Sequence, residues 1–379
     1  MKRYTKYARF FVLSAVFLLS CTGCGTSAPE NTAHAPNGVE RLAPKNVVIM
    51  IGDGMGFEQV KAAGMYLNGK EGTLSFEQLP YKGQMTTFSA NKSITDSAAS
   101  ATAMATGTKV NNGVVSTRKP GDNKELKTVL EIFQAQGKSV GLVTTTDISH
   151  ATPACFGSHE LSRNNYKQIT NDYLTQTKPD VMLGGAQYVS PKQAQNAGYT
   201  VVEDRESLMA VDADKITQLW GQFGQAHMPY EYDGTGDLPH LSDMVVKAMD
   251  ILDNDPDGYF IMIEGGRIDH AGHANDIERN VCETAEFSKA VQAVYDIVKN
   301  DDDTLLIVTA DHECGGLKVI ENKGKGVIPQ VSWSTGGHTG VNVPTYAWGV
   351  NAELLTGVID NTDLFWIVQD TYDTSVTND

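Results

Sequence analysis

Acids, imidazoles and a helix-starting serine gather in five short stretches of this chain. The densest is Tyr259-Phe260-Ile261-Met262-Ile263-Glu264-Gly265-Gly266-Arg267-Ile268-Asp269-His270-Ala271-Gly272-His273. Asp269 and His273 stand four apart, a spacing that meets on one helical face, and carboxylate with imidazole suits Zn²⁺. Leu305-Leu306-Ile307-Val308-Thr309-Ala310-Asp311-His312-Glu313 also ends in adjacent metal-ligand types. In Thr95-Asp96-Ser97-Ala98-Ala99-Ser100-Ala101-Thr102-Ala103, Ser97 falls at an expected helix start. Free N–H donors and the positive end of the helix dipole stabilise a phosphoryl group there. Asn46-Val47-Val48-Ile49-Met50-Ile51-Gly52-Asp53-Gly54-Met55-Gly56 delivers Asp53 onto a glycine-rich turn, and Ser334-Thr335-Gly336-Gly337-His338-Thr339-Gly340 holds His338 on another.

Each stretch alone has an ordinary structural explanation. Asp-Gly after a strand is often only a turn, Thr-Asp-Ser is a favoured helix cap, and a lone loop histidine usually does nothing. Their shared setting separates them from scattered polar residues. Apolar runs of strand length cover 46–51, 139–144, 181–183, 259–263 and 304–309, and helical patterns cover 97–105, 126–136, 241–252 and 277–299. Continuous apolar strands alternating with helices predict an α/β fold, a three-layer sandwich whose central, mostly parallel sheet is covered by helices on both faces. Sites in such sheets gather at the carboxyl ends of strands. Those ends carry Asp53, residues 145–150, residues 264–273 and residues 311–313. The stretch 187–240 has weak periodicity and reads as an insertion on one side of the sheet; 321–333 reads as an excursion before the last motif.

The chain has 379 residues and a net charge of −16. Its first twenty residues pair Lys2, Arg3, Lys6 and Arg9 with an apolar run over 10–19, the pattern of an export signal too short to span a bilayer. Leu18-Leu19-Ser20-Cys21 resembles a bacterial lipobox, with Cys24 as a second candidate for lipidation. Residues 21–43 have the composition of a flexible tether ahead of an enzymatic domain over 44–379. Removing residues 1–20 takes away those four positive charges and no negative ones, moving the net charge to −20. So acidic a surface argues against a nucleic-acid partner. It does not argue against a small anionic substrate, because bound cations reverse the sign locally. Cys155, Cys282 and Cys314 lie in the folded body, and an exported protein could oxidise two of them, though sequence alone does not give a pairing.

Taken in order from about residue 45 to 349, these motifs resemble the alkaline phosphatase family. The resemblance rests on Thr95-Asp96-Ser97-Ala98, His150-Ala151-Thr152-Pro153-Ala154, the Glu264 to His273 run, Asp311-His312-Glu313 and Gly336-Gly337-His338. It implies an exported enzyme, periplasmic or at the cell surface and usually dimeric, that hydrolyses phosphate monoesters with two zinc ions and one magnesium ion through a phosphoserine on Ser97. By the same resemblance Arg163 clamps the phosphate oxygens; Asp269, His273 and His338 hold one zinc; and Asp53, Asp311 and His312 hold the other. Asp53 also bridges to the magnesium, whose remaining protein ligands are Thr152 and Glu264. His150 and His270 fall at positions that vary in the family, being Asp and Lys in some members and His with His or Trp in others. An imidazole there would reach metals or phosphate through water.

Two rival readings remain. A phosphodiesterase or sulfatase-type hydrolase on the same scaffold usually carries Thr or a modified Cys as nucleophile and lacks the Asp-Ser-Ala plus Arg163 pairing. A lipid-anchored protein that binds phosphate or zinc without turnover would need no nucleophile at a helix start.

Overall fold

The computed structural model describes residues 44–369. The expected export signal, the lipidation at Cys21 or Cys24 and the tether lie outside the described residues. Fourteen strands follow in chain order: β1 (Asn46–Gly52), β2 (Tyr81–Thr86), β3 (Ser139–Asp147), β4 (Val181–Gly185), β5 (Thr200–Val202), β6 (Leu219–Gln222), β7 (Tyr259–Gly265), β8 (Thr304–Thr309), β9 (Glu313–Cys314), β10 (Leu317–Glu321), β11 (Gln330–Trp333), β12 (His338–Thr339), β13 (Val343–Gly349) and β14 (Gly357–Asp360). Ten of them form one sheet in the order β14-β2-β13-β8-β1-β7-β3-β4-β6-β5. Only β13 runs antiparallel to its neighbours; the other described pairings in this sheet are parallel.

The apolar runs explain the centre. β1, β7 and β8 are buried along their whole length, as strands covered on both faces must be. Helices Leu241–Leu252 and Ile277–Val298 pack on one another and on the central strands. Helices Val129–Ala135 and Ala151–Gly157 pack on β3 and β7 without joining the first pair, so they cover the opposite face. This is the three-layer α/β sandwich expected, with a mixed, mostly parallel sheet.

Local chemistry sets the boundaries. The helix foreseen from residue 126 begins at Val129, because Thr128 closes a capping box with Glu131: its hydroxyl accepts from the Glu131 N–H, and the Glu131 carboxylate accepts from its own. The stretch 187–240 lies only partly beside the sheet. It contributes β5 and β6, which complete one edge and bury Trp220. The 321–333 excursion is the turn and return strand of a β10–β11 hairpin. A second small ladder pairs β12 with β9, setting His338 opposite Cys314 and Thr339 opposite Glu313.

Candidate active site

The carboxyl ends of β1, β3, β7 and β8 open on one rim, and the expected residues converge there. β1 runs into Gly52-Asp53-Gly54, where Gly54 adopts φ 72° and a Cβ would press within 2.9 Å of the Asp269 Cα. Only glycine fits so close a turn. The Gly54 N–H donates to Asp311 Oδ1 at 3.1 Å, tying the ends of β1 and β8. Asp269 and His273 share one face of the helix Arg267–His273 that follows β7, and the β9–β12 ladder brings His338 from far along the chain.

Ser97 opens the helix Ser97–Thr106, which Asp96 caps by accepting the Ala99 N–H at 3.0 Å. Its Oγ lies 3.2 Å from His312 Nε2. The imidazoles are oriented from behind. His273 Nδ1 donates to the Gly336 carbonyl at 2.7 Å and His338 Nδ1 to the Thr95 carbonyl at 3.0 Å. Both therefore face inward with Nε2, and the two Nε2 atoms are 3.1 Å apart. Such outer contacts are how metal-binding histidines are usually held.

Whether the residues fit cations can be judged from their hydrogen bonds. Among the described residues, both Asp53 carboxylate oxygens, Asp311 Oδ2, Glu264 Oε1, Asp269 Oδ1 and Thr152 Oγ1 are buried without a hydrogen-bond partner. Buried polar atoms are rarely left so, and crowded carboxylates need a counter-charge. Ligand atoms lie within 4.8 Å of one another in three sets: Asp269, His273, Cys314 and His338; Asp53, Asp269 and His312; and Asp53, His150 and Glu264. Hard oxygens with imidazole nitrogens suit divalent cations.

The electrostatics agree. Burial, then Asp311, Asp269 and Glu264, push Asp53 well above the usual carboxylate range. Burial raises Glu264 to about 7 and, with Asp269, raises Asp311 to about 6. Burial also opposes the charge on Asp269, but His273 and His338 hold it well below the ordinary value. The Asp269 hydrogen bond lifts His273 to about 9, whereas burial and His338 keep His312 neutral.

Arg163 donates through one amino group to Asp96 Oδ2 at 3.1 Å and through the other to His150 Nε2 at 3.2 Å. Its fork thus stands beside the cap of the Ser97 helix. His270 meets His150 edge-on at 5.5 Å. Sequence reasoning missed His227, which packs 4.5 Å from His270 and 5.6 Å from His150, its Nδ1 accepting from the Asp147 N–H at 2.9 Å. Burial and Arg267 lower its pKa to about 4, and burial and His227 lower that of His270 to about 3. A single histidine in a weakly periodic stretch offered no local signal. Glu313, the third ligand type after β8, turns away and accepts from Gln59 Nε2 and the Leu317 N–H. Cys155, Cys282 and Cys314 are all unpaired.

Known proteins resemble this chain in sequence and fold. The family model described as alkaline phosphatase matches residues 44–192, 183–328 and 321–373. Alkaline phosphatase 3 of Bacillus subtilis is 32% identical over 96% of each chain, and streptomycin-6-phosphate phosphatase of Streptomyces griseus is 30% identical over 94% of this chain and 95% of its own. The structure of the alkaline phosphatase from the Antarctic bacterium TAB5 superposes with a TM-score of 0.76 at 29% identity, covering 89% of this chain and 98% of that one. With that match running the length of the described body and a rim of acids and imidazoles at its sheet, this chain belongs to the alkaline phosphatase family.

Proposed function

We propose that the protein hydrolyses phosphate monoesters to alcohol and inorganic phosphate through a phosphoserine on Ser97, with two zinc ions and one magnesium ion as cofactors. The observation that carries this reading is the Ser97 hydroxyl, 3.2 Å from His312 at a helix N-terminus, beside buried carboxylate oxygens that have no partner. Asp269, His273 and His338 would hold one zinc and Asp53, Asp311 and His312 the other, with Asp53, Glu264 and Thr152 for magnesium. When bound, these cations supply Lewis acidity that lowers the pKa of oxygens they contact and offsets phosphoryl charge.

The chain's own groups account for the rest. The Ser97 hydroxyl gives its proton to solvent as Oγ attacks phosphorus in line, the departing ester oxygen takes one up to leave as alcohol, and water later cleaves the P–Oγ bond, restoring the hydroxyl and releasing inorganic phosphate. The helix N-terminus presents N–H groups to the phosphoryl oxygens. Arg163, steadied by Asp96, offers a planar fork to two of them. Recognition centred on the phosphoryl group leaves the alcohol loosely specified, and a relative named for streptomycin-6-phosphate at similar identity supports the monoester class. The test is turnover of a chromogenic monoester by metal-reconstituted protein, with acid-quenched phosphate on Ser97. Faster turnover of diesters or sulfate esters would instead favour the rival hydrolases.

Export with lipidation at Cys21 or Cys24, and assembly as a homodimer, belong to the same proposal; the N-terminal sequence and the family resemblance support them. Labelled-lipid incorporation that disappears in Cys21→Ser or Cys24→Ser, and the solution mass of the body, test the two points.

A further inference from the structure

Cys314 stands inside the cluster of acids and imidazoles, yet the proposed reaction gives it no role. The β9–β12 ladder sets it opposite His338, and the helix Arg267–His273 brings Asp269 and His273 alongside. One donor atom from each of Asp269, His273, His338 and Cys314 lies within 4.8 Å of the other three.

The seat is narrow. A Cβ on Gly272 would come within 3.2 Å of Cys314 Sγ, and one on Gly54 within 2.9 Å of its Cβ, so the walls fix where the sulfur lies. Asp269, only 4% exposed, keeps Oδ1 without a hydrogen-bond partner, and both imidazoles turn Nε2 toward the cluster. Buried Cys155 has other company: its sulfur donates to the Ala98 carbonyl at 3.1 Å and accepts from Thr102 at 3.2 Å.

We propose that Asp269, His273, His338 and Cys314 form a four-donor trap for thiophilic divalent cations of the Cd²⁺ class. The inference rests on the assignment of Asp269, His273 and His338 as one metal centre. Three oxygen and nitrogen donors leave a position open for substrate, as catalytic zinc sites do. A soft cation recruits the sulfur as well, since thiolate favours such ions, and the thiol proton passes to water. Two negative donors then balance the divalent charge, four protein atoms fill a tetrahedral sphere, and the phosphate ester is shut out. Thiophilic ions would thus poison this enzyme by closing the centre it uses for catalysis.

The test uses the full chain freed of metal and reloaded with Zn²⁺ and Cd²⁺ in competition, reading bound-metal ratios and ultraviolet sulfur-to-cadmium absorption. Wild type should show the absorption and prefer Cd²⁺. Cys314→Ser should lose the band and at least about tenfold of the preference, the scale on which single contacts tune metal affinity, while Cys282→Ser keeps both. Cadmium-113 NMR of the wild type separates sulfur ligation from oxygen and nitrogen ligation even where Cys314→Ser does not fold. Absence of the band and of a sulfur-type cadmium signal in the wild type, or their survival in Cys314→Ser, overturns the proposal. Zinc content unchanged in His273→Ala would instead sink the underlying centre; zinc lost there with a sulfur-free cadmium site sinks only the trap.

Discussion

Two clusters of acid and imidazole in this molecule have similar membership and opposite satisfaction. Glu231, His240 and Glu286 also bring ligand atoms within 4.8 Å of one another. There His240 Nδ1 meets Glu231 at 2.8 Å, and Glu286 accepts from the Ser242 N–H, the Ser242 hydroxyl and Lys289 Nζ, at 3.1, 2.6 and 3.0 Å. Those bonds fasten the start of the helix Leu241–Leu252, and none of the three residues is among the atoms left without a partner. Around Asp53, carboxylates keep five oxygens without a partner: both of Asp53 and one each of Asp311, Glu264 and Asp269. Proximity of ligand types thus separates the two poorly, whereas unanswered hydrogen-bonding capacity separates them well, because the fold tolerates that cost only where something else binds.

The widest contrast should appear on removing metal. Exhaustive chelation is expected to abolish turnover and lower the melting temperature, and Zn²⁺ with Mg²⁺ should restore both. The stripped protein should also become pH-sensitive. Glu264 and Asp311 rise from 4.5 and 3.8 in the unfolded reference to about 7 and about 6. Acids raised on folding lend stability that is complete below the unfolded values and disappears as pH climbs through the folded ones. The melting temperature of chelated protein should therefore fall between about pH 4 and 7, while that of loaded protein stays nearly flat. A flat curve after chelation would deny that these acids are short of a counter-charge.

Next in size is the nucleophile. Ser97→Ala should lose nearly all turnover and all acid-stable phosphoprotein with little change in melting temperature; near-normal rates without phosphoprotein would defeat the covalent route. Arg163→Ala is expected to be milder. It should raise the inhibition constant for inorganic phosphate by the equivalent of about 1.5–3 kcal/mol, the range for a charge-assisted hydrogen bond, and an unchanged constant would remove Arg163 from the site. The smallest effect belongs to the satisfied cluster. His240→Ala, at a half-exposed side chain, should shift stability by about 0.5 kcal/mol and leave metal content alone; loss of an ion on that change would erase the contrast.

Long apolar stretches made the sheet legible from sequence. β8 and the helix Leu241–Leu252 have the foreseen bounds because burial on a regular period leaves a strong local pattern. β5 and β6, at three and four residues, are too short to carry a period and exist only by pairing, β6 with β4 and β5 with β6. The rim reads similarly. Asp269 and His273 announce themselves by spacing, but His227 reaches the site through a long-range bond to the Asp147 N–H, and the inward turn of Cys314 depends on pairing with β12. Resemblance to a family pointed to the candidate residues; the oxygens left without a partner belong to the three-dimensional arrangement alone.

The short β9–β12 ladder also bears on how the molecule is made. It draws His338, near the end of the described body, against residues that leave β7 and β8, while Asp53 lies near the beginning. Contacts between such distant parts of a chain are slow to close. On the proposed assignment, a polypeptide halted before His338 lacks one donor of the set it shares with Asp269 and His273, however well its earlier strands have paired, so capture of that cation would report that the chain has passed residue 338 and closed this ladder.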